Sequence, residues 1–391
     1  MINDRSEKNE YRLTLIAFII IISFSADIDN RLLFSWLPSV FLSLYYLVVI
    51  VFKGRIRKGF LFSLALNLSW ILYSSINFSG IQSFDLHVKA SFEVLIWSVF
   101  FYLVYQYIDD KYESLSKFLL QTVTIFIVVS FFQYINHLFF YDGYKSFSGF
   151  FSNRNDYAVL GSFFLAVQVY LGFRGDRFSK FKELLLIFFI IVTLSTKGLL
   201  SVFLIYLLFF QSNFGFTKKI ISVVTSSALI AILIISNQSL LERTTGKIDS
   251  LTAGFGHLDE ITARDSGQIR MLLYAASVST LAEHPLFGVG INNAQFYMPI
   301  PERATVDVLN TQNNYSEMLL NSGIPGFLIY YVPLFFITWK FRNKLGQIYK
   351  LCFLLLILKF INDLGMKSYN EPVQLVSVIF VYYVYLNRHR I

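Results

Sequence analysis

The chain has 391 residues, of which 55% are hydrophobic and only 15% are charged, and it contains 43 Phe and 24 Tyr. Ordinary soluble domains carry about 25% charged residues, so this composition excludes an ordinary soluble protein and favours an integral membrane protein with several spans. The formal net charge of +8 does not indicate a nucleic-acid partner, because membrane proteins concentrate Lys and Arg in their cytoplasmic loops.

Apolar segments long enough to cross a bilayer recur along the whole chain. We predict an all-α integral membrane protein with about twelve transmembrane helices. These spans lie at roughly 12–26, 32–52, 60–78, 90–108, 118–140, 157–173, 182–196, 198–212, 219–236, 323–340, 349–362 and 372–387. The first apolar segment lacks a small-residue cleavage site and is followed by further spans, which argues against a cleaved signal peptide. The single Cys352 rules out an internal disulfide and argues against a thiolate metal site.

Short basic segments predict the orientation of the chain. They are KGRIRK (53–58), RGDRFSKFK (174–182), TKK (217–219), KFRNK (340–344) and NRHR (387–390). With an even number of spans, all of them fall on the same side as both termini. The excess of Lys and Arg in cytoplasmic loops makes that side cytoplasmic.

Residues 237–322 interrupt the regular spacing of the spans and form a long loop on the outer face. We therefore divide the chain into an N-terminal transmembrane bundle of about nine spans at 1–236, this loop at 237–322, and about three C-terminal spans at 323–391. Within the loop, SGQIRMLLYAASVSTLAE (266–283) predicts a helix with Ser266 as a candidate N-cap. A functional site on a long loop held by a rigid scaffold is the default expectation.

Two polar motifs lie directly beside apolar segments. Ser195-Thr196-Lys197-Gly198 separates two short spans, which predicts a tight turn between them. In LNTQNNYSEMLLNSGIPGF (309–327), the amide cluster Gln312-Asn313-Asn314 precedes an apolar segment with glycines at 323 and 326. One amide is enough to cap the following helix, so the cluster also suggests a polar surface.

Five motifs, taken in order, resemble the O-antigen ligase and polymerase superfamily. They are SNRNDYAVLGSF (152–163), LSTKGLLSVFL (194–204), Arg270 within GQIRMLLYAAS, HPLFGVGINN (284–293) and QNNYSEMLLNSGIPGFLIYY (312–331), and they cover roughly residues 150–340. The chain departs from the ligase pattern at Gln312, where ligases usually have His, and at Lys197, where they usually have Arg. Because Gln cannot act as a general base, these departures favour a polymerase.

The resemblance implies a glycosyltransferase of the bacterial inner membrane, with both termini cytoplasmic and the long loop periplasmic. Such a polymerase moves a growing glycan from undecaprenyl diphosphate onto the next undecaprenyl-diphosphate-linked repeat unit. Its partners are that lipid-linked oligosaccharide, the bilayer and a polysaccharide chain-length regulator, with no cofactor, metal or nucleic acid. The alternatives are an O-antigen ligase that transfers glycan to lipid A core and, from another class, a flippase for lipid-linked oligosaccharide.

The reaction requires cations for the diphosphate, a polar surface for the acceptor hydroxyl and a proton acceptor. Arg270 is the first candidate for the diphosphate, because a guanidinium pairs with phosphate oxygens in a bidentate manner. The remaining candidates are Gln312 and Glu317 as catalytic residues, and Lys197, Arg154, Arg264, Asn313, Asn314 and Tyr315 as substrate-binding residues.

Each of these residues also has a plain structural interpretation. Lys197 and Arg154 are typical interfacial cations, Arg264 can pair with Asp265, and Asn313 or Asn314 can cap a helix. Glu317, at the mouth of a span and expected to be partly buried, is the candidate base, with Asp259, Glu260 and Asp265 as alternatives. His284 precedes Pro285 and a glycine turn, which indicates a helix terminator. Four glycines are expected to set turns and close helix contacts: Gly288, Gly290, Gly323 and Gly326. The i, i+4 pair Lys359 and Asp363 is interpreted as structural.

Overall fold

The computed structural model describes residues 11–12, 14–15, 18, 37–52, 56–77, 81–112, 115–140, 147–149, 151, 153–172, 177–213, 266–298 and 313–387. Within this part of the chain the secondary structure is helical, with no β-strand. The predicted span at 219–236 and most of that at 12–26 lie outside the described residues.

Among the described residues, eleven α-helices have defined bounds. They are α1 Leu37–Phe52, α2 Lys58–Ser74, α3 Phe84–Tyr112, α4 Leu115–Phe140, α5 Arg154–Leu171, α6 Arg177–Val192, α7 Thr196–Asn213, α8 Ser266–Glu283, α9 Asn314–Phe341, α10 Gln347–Asp363 and α11 Pro372–Leu386, with a short 3-10 helix at Ala294–Phe296. The predicted helix at 266–283 is confirmed. The tight turn is confirmed too, because α6 ends at Val192 and α7 begins at Thr196.

Three of the described helices are long and apolar enough to cross a membrane, namely Phe84–Lys111, Leu115–Phe139 and Asn314–Phe341. Three shorter helices are also apolar, Leu37–Phe52, Thr196–Phe209 and Pro372–Leu386. Large apolar side chains point outward from several helices, as for Phe132 at 66% exposure and Trp339 at 61%. A surface of this kind is suited to lipid, so the chain is a helical membrane protein.

Helices α5 and α11 form the centre of the bundle. Every side chain of α5 from Tyr157 to Tyr170 is buried, and so is every side chain of α11 from Pro372 to Val384. A helix that is apolar on all sides is normally enclosed by other helices. Accordingly α5 packs against α4, α6, α7 and α10, while α11 packs against α3 and α10.

Helix α9 consists of two helical pieces joined at Gly323. That glycine has φ 64° and ψ −173°, which is not helical, and Pro325 follows two residues later. The predicted span began at 323, whereas the helix begins at Asn314. The difference arises because the first piece carries buried polar residues and therefore lacks the apolar signature of a span.

Candidate functional site

One end of the bundle collects the polar motifs, and we call it the motif end. Helices α5, α7, α9 and α11 begin there, and α2, α6 and α10 end there. The opposite end, where α2 and α10 begin and α3 and α11 finish, is called the basic end. The connection between α10 and α11, Leu364–Glu371, lies at the motif end and is called the α10–α11 segment.

The turn after α8 pairs with the break in α9. Backbone N–H groups of Val289 and Gly290 donate to the carbonyls of Leu320 (2.7 Å) and Asn321 (3.1 Å). At the other side of the break, the N–H of Ile324 donates to the carbonyl of Pro285 at 2.9 Å. The break in α9 thus supplies backbone partners for the loop.

Glycine is required on both sides of this pairing. Gly288 and Gly323 have φ values of +65° and +64°, a region that other residues rarely adopt. A Cβ at Gly288 would lie 2.3 Å from the carbonyl oxygen of Leu320, and one at Gly323 would lie 2.1 Å from that of Leu286. The prediction that these two glycines set turns and close contacts is confirmed.

The loop after α8 also forms hydrogen bonds with the N-terminal region of α3. The N–H of Ile291 donates to Nδ1 of His87 at 2.9 Å, and Nε2 of that imidazole is 2.9 Å from the hydroxyl of Ser75. Asn293 accepts from the N–H of Ser83 at 2.7 Å and donates to its carbonyl at 3.2 Å. Sequence reasoning missed His87 and Asn293, because their partners lie about two hundred residues away in the chain.

Asn313 is the cap of α9. Its side-chain oxygen accepts from the backbone N–H groups of Tyr315 (2.8 Å) and Ser316 (3.2 Å). Its amide nitrogen donates to the hydroxyl of Tyr274 on α8 at 3.3 Å and to the carbonyl of Leu364 at 3.4 Å. Asn313 is therefore the amide that caps the helix. It also joins α8 to the α10–α11 segment.

Asn314 is fully buried and holds the α10–α11 segment. Its side-chain oxygen accepts from the N–H groups of Ser368 (2.9 Å) and Tyr369 (3.0 Å). Its amide nitrogen donates to the hydroxyl of Tyr331 at 2.9 Å and lies 3.5 Å from Asp363. An amide has two donors and two acceptor lone pairs, so the protein itself uses the hydrogen-bonding capacity of Asn314.

Tyr315 faces α10. Its hydroxyl donates to the carbonyl of Phe360 at 2.9 Å. Its ring stacks on that of Tyr331, with centroids 4.9 Å apart and an interplanar angle of 23°. The side chain is partly buried, and its ring lies against aromatic groups of the bundle.

Glu317 is fully buried on the first turn of α9, more deeply than the partial burial expected for it. Its carboxylate interacts electrostatically with Tyr369 in the α10–α11 segment. Burial raises the pKa of Tyr369 well above its ordinary value, and the negative charges of Glu317 and Glu93 add to the shift. The hydroxyl of Tyr369 therefore remains protonated at neutral pH.

Lys197 links the tight turn to the α10–α11 segment. Its ammonium group donates to the carbonyl of Gly365 at 2.5 Å. In the same turn the hydroxyl of Ser195 donates to the side-chain oxygen of Asn155 at 2.8 Å. Arg154 precedes Asn155 on the first turn of α5 and is partly exposed, so it belongs to the same end of the bundle.

Lys367 forms a contact that the sequence did not indicate. Its ammonium group donates to the side-chain oxygen of Asn292 at 2.6 Å and lies 5.1 Å from the centroid of the Tyr369 ring. Asn292 has a φ of 60°, a conformation that Asn tolerates better than most residues. The loop after α8 and the α10–α11 segment are thereby joined directly.

Arg270 belongs to α8, and its side chain is outside the described part of the structure. The hydroxyl of Tyr274 on that helix donates to the carbonyl of Leu364 at 3.3 Å. Residues four apart on a helix share a face, so position 270 lies on the face of α8 that bears Tyr274. Five other candidates lie outside the described residues: Arg264, Gln312, Asp259, Glu260 and Asp265.

A buried ion pair lies beneath the α10–α11 segment. The ammonium group of Lys359 is 2.5 and 2.6 Å from the two carboxylate oxygens of Asp363, and donates to the hydroxyl of Ser368 at 2.6 Å. The hydroxyl of Tyr331 donates to the same carboxylate at 2.8 Å. The predicted pairing of Lys359 with Asp363 is confirmed.

In the described part of the chain, no group of three or more His, Cys, Asp or Glu could hold a metal ion. The carbonyl of His284 accepts from the N–H of Gly288 at 3.2 Å directly after α8 ends, as expected for a helix terminator.

These helices and contacts describe a helical membrane protein whose polar, loop-built candidate site lies at one end of the bundle. Residues 184–331 match the model of a family described as O-antigen ligase. The match includes the tight turn, α8, the loop after it and the first part of α9, and it confirms the resemblance to the O-antigen polymerase and ligase superfamily. No curated protein is similar enough to the chain to count as a match.

Proposed function

We propose that this protein is a polymerase of O-antigen or a related surface polysaccharide, acting on undecaprenyl-diphosphate-linked repeat units. The proposed location is the bacterial inner membrane, with both termini cytoplasmic and the motif end periplasmic. A chain-length regulator is a further proposed partner.

The proposed reaction is a single glycosyl transfer. The hydroxyl oxygen of the acceptor repeat unit forms a bond to the anomeric carbon of the growing glycan. The bond between that carbon and the diphosphate oxygen breaks, and undecaprenyl diphosphate leaves with the electron pair while the hydroxyl proton passes to a base. Because diphosphate is a good leaving group, positioning and charge stabilisation supply most of the rate enhancement.

The observation that carries the proposal is the convergence of the family motifs on the α10–α11 segment. Lys197 contacts Gly365, Asn313 contacts Leu364, and Tyr274 on the Arg270-bearing helix contacts Leu364 as well. One short stretch of backbone is therefore contacted by three groups: a cation from the tight turn, an amide from α9 and the helix that bears Arg270. We assign Arg270, with Lys197, Arg154 and Arg264, to the diphosphate.

The acceptor side of the proposed site consists of Gln312 and Asn313, with Asn314 and Tyr315 supporting them from within the protein. Glu317 is the proposed base. Because it is fully buried, a proton can reach it only through neighbouring polar groups or after the residues that cover it move.

Two other functions are kept as alternatives. The matched family carries the description of a ligase, which favours transfer of glycan to lipid A core as the second candidate. A flippase for lipid-linked oligosaccharide is the candidate from another class. Transporters usually place their polar sites near the bilayer midplane, whereas the polar contacts described above lie at one end of the bundle.

The polymerase assignment can be tested in a host that lacks its own polymerase but keeps its ligase and the matching repeat-unit genes. Expression of this chain is expected to give a ladder of many repeats in the extracted lipopolysaccharide. A single-repeat band would contradict polymerase activity on that substrate. The same experiment in a ligase-deficient host, and in a flippase-deficient host, separates the two alternatives.

Arg270→Ala tests the site. We expect the ladder to fall by at least about 100-fold, because a charge contact to the leaving diphosphate is lost, and Arg270→Lys to restore it only in part, because Lys lacks the bidentate geometry. The matched control is Lys117→Ala, which removes an exposed cation at the basic end. A normal ladder from Arg270→Ala, with unchanged protein in the membrane, would exclude the assigned role.

A further inference from the structure

A cavity of about 420 Å³ opens at the basic end, away from the motif end. It lies among the last turns of α5, α7 and α9, the connection between α9 and α10, and the first turns of α10. The residues that line it include Leu208, Phe341, Arg342, Lys344, Lys350 and Phe353. Nothing in the proposed glycosyl transfer uses this cavity.

The lining combines a cationic rim with an apolar floor. Arg342, Lys344 and Lys350 provide three positive charges, and no acidic residue is among the described residues that line the cavity. Helix α10 begins beside them after Gly346, which offers no side-chain cap to its first N–H groups. The partial positive charge of a helix N-terminus therefore adds to the rim.

Aromatic and apolar side chains place this rim at the level of a membrane interface. The guanidinium of Arg342 lies 3.2 Å from the centroid of the Trp339 ring, and that ring is 61% exposed. Leu345, between two of the cations, is 87% exposed. Exposed Trp beside Arg is typical of the boundary between lipid headgroups and hydrocarbon.

We propose that this cavity binds the headgroup of an anionic phospholipid. The phosphate would contact Arg342, Lys344 and Lys350, and an acyl chain would extend along Leu208, Phe341 and Phe353. Basic pockets between transmembrane helices are suited to anionic headgroups. A free phosphate ion would satisfy the rim but leave the apolar floor unused, so the amphipathic ligand fits the whole cavity.

The test compares two double variants of the full chain, purified in detergent. Lys344→Gln with Lys350→Gln removes two charges from the rim, whereas Lys117→Gln with Lys340→Gln removes two exposed charges from the same end that do not line the cavity. Bound phosphatidylglycerol is measured by native mass spectrometry, with phosphatidylcholine and inorganic phosphate as the other probes. Melting temperatures without lipid report the folding of each variant.

We expect the rim variant to bind phosphatidylglycerol about 30-fold more weakly than the parent, because two of the cations that attract an anionic headgroup are removed. The control variant is expected to bind like the parent. Equal losses in both variants, or equal binding of phosphatidylcholine, would overturn the proposal. Full competition by inorganic phosphate at the same concentration would also overturn it, because the cavity would then be a simple anion site. If the rim double variant is unstable, the exposed Lys344→Gln alone is compared with Lys340→Gln.

Discussion

The two ends of the bundle use polar side chains in different ways. At the motif end, Asn313, Asn314 and Lys197 donate to or accept from the backbone of the α10–α11 segment. At the basic end, Arg342 and Lys344 are exposed on a short connection between two helices. Polar and cationic side chains thus bind loop backbone at the motif end and are exposed at the basic end.

The basic end is nevertheless tied together by one ion-pair cluster. The guanidinium of Arg57 is 3.1 Å from the carboxylate of Asp109, also pairs with Asp110, and donates to the side-chain oxygen of Asn387 at 3.0 Å. These contacts join the start of α2 to the ends of α3 and α11. The cluster acts between side chains of helix ends, not on loop backbone.

The difference follows from the burial of backbone groups. Loops that pack into a protein must have their N–H and C=O groups paired, and the loops of the motif end are packed against α2, α3 and α9. Amides and Lys provide the missing partners there. The short connection at the basic end is a tight turn: the N–H groups of Arg342 and Lys344 pair with the carbonyls of Thr338 and Phe341. Its side chains are therefore not needed as backbone partners, and its cations face outward.

Breaking the ion pair at each end should give the largest difference in stability between the two ends. Lys359→Met leaves the fully buried Asp363 without its cation, and we expect a loss of about 3–5 kcal/mol in unfolding free energy. Arg57→Met should cost less, because the carboxylates of Asp109 and Asp110 are 18% and 12% exposed. Unfolding in detergent, followed by circular dichroism, measures both.

The control for the first variant is Lys359→Met combined with Asp363→Asn. It removes both charges and retains an acceptor for the hydroxyl of Tyr331. We expect it to recover most of the lost stability, because an unpaired buried charge is the main cost. Equal stability of the single and double variants would show that the pair does not carry the effect.

Glycine substitutions should give the next largest difference in stability between the two ends. Gly323→Ala combines a positive φ with a Cβ that would lie 2.1 Å from the backbone oxygen of Leu286, and we expect a loss of about 2 kcal/mol or more. Gly346→Ala at the basic end has an ordinary φ of −62° and approaches only the side chain of Tyr349. Its expected cost is under about 1 kcal/mol. Similar melting temperatures for the two variants would contradict the described fit of the loop.

Removal of one Asn side chain at each end should give the smallest difference in stability between the two ends. Asn313→Ala removes the cap of α9 and its contacts to Tyr274 and Leu364, for an expected loss of about 1 kcal/mol. Asn343→Ala changes an exposed residue at the basic end and should stay within about 0.5 kcal/mol of the parent. Hydrogen exchange of the first turn of α9 should increase only in the Asn313 variant. Unchanged exchange there would argue against the capping role.

Local patterns in the sequence predicted several elements well. The bounds of α8, the tight turn before Thr196, the turn glycines Gly288 and Gly323, and the pairing of Lys359 with Asp363 all depend on residues close together in the chain. The predicted span at 323–340 covers only the second piece of α9, whereas the whole helix begins at Asn314. Its first piece is packed inside protein and carries Glu317 and Asn321, so a search for apolar spans could not detect it.

The sequence by itself determined the membrane class, the positions of most helices and the motifs of the family, because composition, periodicity and capping act over short stretches of chain. Only the tertiary structure decided that the motifs meet at the α10–α11 segment. The contacts that do so join residues far apart, such as Lys197 with Gly365 across 168 positions and Lys367 with Asn292 across 75. Which loops meet is set by the packing of helices around α5 and α11, and no local pattern encodes that packing.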